Sequence, residues 1–170
     1  MSDGDGVLVI GYGNPLRGDD GAGWSAAELL AEDPRAAGAQ VVICHQLTPE
    51  LAEDVSRADL VVLIDASAEV TGGAAASRPG AVEVRTIPVA HDDGTASTPV
   101  TSLFSHHIDA VRLLQLSGAL YGRWPPAVEI SIRVADVEGG TALSPPVGAG
   151  LSVVVDAVID AMRTHERRCA

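Results

Sequence analysis

Short apolar runs alternate along the chain with stretches in which apolar residues recur every three or four positions. Residues 6–13, "GVLVIGYG", form a β-branched run that ends in glycines and predicts a buried strand followed by a turn. Trp24, Ala27, Leu30 and Ala31 then recur at helical spacing. A second strand is expected over 39–47. The helix expected at 48–58 has Thr48 as its N-cap and Pro49 at its first position. Residues 59–67, "DLVVLIDAS", are the most apolar strand, expected to stop at Asp65. The rhythm lapses over 68–80, rich in Gly, Ala and Ser. It resumes with an alternating edge strand at 81–89, closed by Pro88. A long polar loop, 90–105, precedes a helix at 106–120 with an Ile108, Val111, Leu113, Leu114, Leu116 stripe. A last strand is expected at 126–137 and a last helix at 144–168, with Pro145 near its first turn.

Strand and helix alternation implies parallel strands joined by crossover helices that cover both sheet faces. The nearly unbroken apolar character of 60–64 fits a sheet buried on both sides. The expectation is one three-layer α/β/α domain over residues 1–170, with a twisted, mostly parallel sheet. In such folds ligands bind outside the carboxyl ends of the strands. Asp19 and Asp20 follow the first strand and Asp65 closes the third, so they share one crevice if those strands are neighbours.

Composition narrows the function. The chain has 23 acidic residues against 11 Lys and Arg, a formal charge of −12, and a single Phe. That field repels polyanions, and no aromatic platform offers itself for stacking bases, so nucleic acid is not an expected partner. The basic cluster at 163–168 reads as cations complementing a helix C-terminus. The acidic, polar start is not a signal peptide. No apolar run reaches the roughly 20 residues that span a bilayer, so a cytoplasmic protein with no membrane partner is expected. Cys44 and Cys169 lack paired spacing, and Cys44 is expected to be a buried thiol.

The opening stretch "VIGYGNPLRGDDGAGW" (9–24) begins like a dinucleotide loop, but Leu16 stands where the third glycine of that fingerprint is needed. Its two acids would also face a phosphate at the helix N-terminus. Carboxylates with an imidazole suit a divalent transition ion instead. His106 and His107 begin a helix after the long loop, and one of them with Asp20 and Asp65 would make a three-ligand site with open positions. Each residue also has a plainer role. Asp19 or Asp20 can cap the helix expected at Gly21, Asp65 can cap a turn through Ala66 and Ser67, and a histidine can be an ordinary surface residue.

"GYGNPLRGDDGAG" (11–23) resembles the opening motif of the hydrogenase maturation endopeptidases, G-x-G-N-x-L-x-x-D-[DE]-G-x-G, with every fixed element present. The resemblance continues through 45–66, 105–122 and 139–147, and "HQLTPELA" is most similar to the branch serving bidirectional or cofactor-reducing hydrogenases. It implies an endopeptidase that removes a C-terminal extension from the precursor of the nickel–iron hydrogenase large subunit once nickel is inserted. It further implies one α/β domain; a monomer is expected, with nickel supplied by the precursor rather than permanently bound. The family's metal-contacting, catalytic residues fall on Asp20, Asp65 and His106, the last chosen over His107 by its distance to the following leucines. Asp20 stands where many members carry glutamate, and "SIRVAD" (131–136) departs from the I-G-I-E-P form. A non-catalytic metal-sensing chaperone of the precursor and a nucleotide-binding α/β protein are the alternatives.

Overall fold

The computed structural model describes residues 6–68, 78–88, 108–134 and 140–170. Among these residues five strands form one sheet in the order β2-β1-β3-β5-β4. They are β1 (Val7–Tyr12), β2 (Gln40–Cys44), β3 (Leu60–Ser67), β4 (Val82–Ile87) and β5 (Ala127–Arg133). β2, β1, β3 and β5 run parallel, and β4 lies antiparallel on the edge beside β5. The helices among the described residues are α1 (Ala22–Ala31), α2 (Leu51–Arg57), α3 (Ala110–Tyr121) and α4 (Pro145–Cys169).

The alternation of side chains along each strand divides the core in two. Val9 of β1, Val62 and Ile64 of β3, and Ile130 and Ile132 of β5 pack against α1 and α4. Leu8 and Ile10, with Val61 and Leu63, pack against α2 and α3 on the opposite face. Small residues let the layers approach closely. A Cβ on Gly11 would come within 2.3 Å of the Ala27 Cβ, and one on Gly23 would fall 2.3 Å from the Tyr12 carbonyl oxygen and 2.5 Å from that of Ile64. The first turn of α1 is thereby wedged onto the ends of β1 and β3.

Several boundaries differ from the sequence expectation. β3 runs two residues past Asp65, so Asp65 points from an extended strand and caps no turn. α2 starts at Leu51 rather than at Thr48, after tight turns in which Leu51 N–H donates to the Thr48 carbonyl and Ala52 N–H to that of Pro49. α3 begins at Ala110, capped by the Asp109 carboxylate, which accepts from Arg112 N–H at 2.8 Å. β5 ends at Arg133. α4, at 25 residues, is by length and composition long and apolar enough to cross a membrane, contrary to the expectation from apolar runs. Its apolar stripe, Val147, Leu151, Val154, Val155, Val158, Ile159 and Met162, instead lies buried against the sheet.

Candidate functional site

Chain order and strand order together locate the crevice. From β1 the chain passes through α1 to β2 on one side, then returns through α2 to β3 on the other. The direction of winding reverses between β1 and β3, and such a reversal opens a cleft at the carboxyl ends of the two strands. Asp20 lies on the loop leaving β1 and Asp65 on the last part of β3.

The loop holding Asp20 is fixed by its own backbone. Gly13 has φ +138°, and a Cβ there would stand 2.0 Å from the Asp20 carbonyl oxygen, so the chain doubles back onto itself at this point. The Asn14 amide donates to Asp20 Oδ2 at 3.1 Å, and Asp20 N–H donates to the Arg17 carbonyl. Residues 18–21 form a 3-10 turn, and α1 then starts at Ala22 with Gly21 at its N-cap and no side-chain cap. Neither acid therefore caps α1. Asp19 turns the other way and is buried, with 1% of its surface exposed. Its carboxylate accepts from Ser144 N–H at 2.6 Å and from Ser144 Oγ at 2.8 Å. Ser144 is the residue that precedes α4, where a negative charge is favoured by the helix dipole.

Asp65 shares its face of the sheet with residues absent from the sequence-derived candidates. Tyr12 stands beside it across β1 and β3, and the Tyr12 hydroxyl is hydrogen-bonded to the Asp65 carboxyl. Glu129 on β5 and Glu83 and Arg85 on β4 lie on the same face, with Arg85 paired to Glu129. With Asp65, Ser67 and Ser131 they line a polar cavity of about 300 Å3. Burial pushes the Asp65 carboxyl up to about 6, opposed by a hydrogen bond from the Ala66 amide and reinforced by the charges of Glu129 and Asp20. Burial, and then the Asp65 charge, also raise the Tyr12 phenol. The sequence carried signals for both missed residues. Glu129 is an acid within an apolar strand, and Tyr12 falls in register with Leu8 and Ile10.

Asp20 and Asp65 thus come within electrostatic range of one another at one rim. Burial is the main cause of the raised Asp65 carboxyl, the neighbouring acids adding to it, and hard oxygen donors of this kind suit a divalent ion. His106, like His107 and the loop at 90–105, lies outside the described residues. Among the described residues no group of three His, Cys, Asp or Glu side chains completes a metal site. Cys44 is half-buried rather than buried, and burial raises its thiol. Cys169 and His165, 3.7 Å apart, line a different groove beside Leu60 and Ala127, at the opposite ends of β3 and β5.

No protein-family model and no curated protein sequence matches the chain. Solved structures do. The NiFe hydrogenase maturation protease HybD from Thermococcus kodakarensis has a TM-score of 0.64 at 25% identity, over 92% of this chain and 98% of that one. The hydrogenase maturating endopeptidase HybD from E. coli has a TM-score of 0.65 at 22% identity, over 93% and 92%. The hydrogenase 2 maturation peptidase from a Thaumarchaeota archaeon has a TM-score of 0.64 at 24% identity, over 92% and 97%. The chain carries the fold of the hydrogenase maturation endopeptidases, the family that its opening motif resembles.

Proposed function

We propose that this chain is a cytoplasmic endopeptidase, acting as a single unit over residues 1–170, that removes the C-terminal extension of a nickel–iron hydrogenase large-subunit precursor after nickel insertion. Nickel is here part of the substrate: the precursor carries it, and Asp20, Asp65 and His106 read it. The observation that supports the proposal is the placement of Asp20 on the loop leaving β1 and of Asp65 on β3, within electrostatic range of one another at the cleft between those strands. A pair of acids there repels itself until a cation arrives, so an unmetallated precursor docks poorly. Cleavage adds water across the scissile amide: the carbon–nitrogen bond breaks, oxygen joins the acyl carbon and a proton goes to the leaving amine. A metal ion assists such a step as a Lewis acid or by activating water. Asp19, held by Ser144, positions the loop rather than reacting.

The test uses purified precursor, nickel-loaded and nickel-free, with intact-mass measurement after incubation. Loss of the extension from the loaded form alone is expected, and equal cleavage of both forms refutes the nickel checkpoint. Asp65→Ala and His106→Ala are each expected to abolish processing while the chain stays folded. Precursor that binds but never loses mass identifies a chaperone instead.

A further inference from the structure

We propose that Leu16 is a docking residue that the precursor covers with an apolar contact when it approaches Asp20; this rests on the function proposed above. Leu16 leaves 70% of its surface in water, the largest value among the exposed large hydrophobic residues that the structure describes. A lone exposed leucine is common on any domain. What sets this one apart is its mounting. Leu16 N–H donates to Asn14 Oδ1 at 2.9 Å, an Asx turn, and Arg17 N–H donates to the Asn14 carbonyl at 3.0 Å. The backbone N–H of the same asparagine donates to Asp20 Oδ2 at 3.1 Å. Pro15 is pressed against Gly21, where a Cβ would come within 2.6 Å of the Pro15 Cα. The turn therefore has no slack with which to fold Leu16 inward.

Leu29 and Val153 project from α1 and α4, and Val84 from the edge strand β4. Leu16 belongs to the hydrogen-bonded ring that holds a candidate metal-reading carboxylate. A partner presenting an ion to Asp20 must close over this turn and remove Leu16 from water, a favourable exchange for apolar surface. A backbone turn already fixed loses little freedom on binding, so more of that gain appears as affinity.

The experiment compares Leu16→Ser, Leu16→Met and Val153→Ser in the full chain with nickel-loaded precursor, reading KM for processing and Kd for binding. Leu16→Ser is expected to raise both about tenfold or more, with kcat and melting temperature near wild type. Leu16→Met and Val153→Ser are expected to behave as wild type. Unchanged KM and Kd in Leu16→Ser, or an equal loss in Val153→Ser, overturns the docking role while leaving the peptidase reading intact. A wild-type protein that neither binds nor cuts the precursor overturns both.

Discussion

At neutral pH the Asp65 carboxylate is ionised against the preference of its surroundings. Its folded value, about 6, lies above the ordinary 3.8, so the folded state binds more protons than the unfolded chain between those limits. Stability from this group is full below about pH 3.8 and declines as pH rises through about 6, by at most about 3 kcal/mol. Asp65→Asn keeps an acceptor for the Tyr12 hydroxyl and removes the charge. The variant is expected to melt above wild type at pH 7.5, with the gap closing near pH 4, in paired thermal denaturation; an equal gap at both pH values contradicts the assignment. A residue that destabilises its own fold at working pH fits a functional role better than a structural one. Part of this was legible in the sequence, because acids that follow apolar strands must emerge at the strand ends. The destination of Asp19 was not. Its partner Ser144 is 125 positions away, and no local pattern announces a bond of that range.

Elements owe their spacing to glycines that have different tasks. Gly23 must lack a side chain because two backbone carbonyls occupy the space, whereas a Cβ on Gly148 in α4 meets nothing within 4 Å. Gly23→Ala is therefore expected to push α1 off the strand ends and cost about 2 kcal/mol or more. Gly148→Ala is expected to gain about 0.5 kcal/mol from helix propensity. Urea unfolding of the two variants checks the opposite signs. The elements themselves were readable from periodicity, including the edge position of β4. Their ends were less so. Thr48 and Asp20 both have the residue type of an N-cap, yet tight turns intervene before α2 and α1, and the Asp20 carboxylate accepts from the Asn14 amide instead.

For the whole molecule, the layering followed from strand and helix alternation, and the position of the cleft from the order of crossovers. The extent of α4 was legible as well, the helix expected at 144–168 being Pro145–Cys169, whereas its overall apolarity was not, since its charged outer face interrupts the apolar runs while its stripe continues. Net charge acts at this scale as well. A formal charge of −12 spread over 170 residues repels itself in the compact state. Raising NaCl from 20 to 300 mM is expected to lift the melting temperature by about 3 °C, on the order of 1 kcal/mol. Loss of surface pairs such as Arg57–Glu53 offsets little of that gain. A flat or falling profile in a salt series contradicts this balance.

The seat of Asp19 on Ser144 ties the front of the chain to its rear. The acidic turn near the beginning cannot loosen without releasing the opening of the closing helix, and the reverse also holds. A protein cut short before that helix would lose the anchor of its acidic loop in the same event as its tail, so trimming the far end loosens the near one.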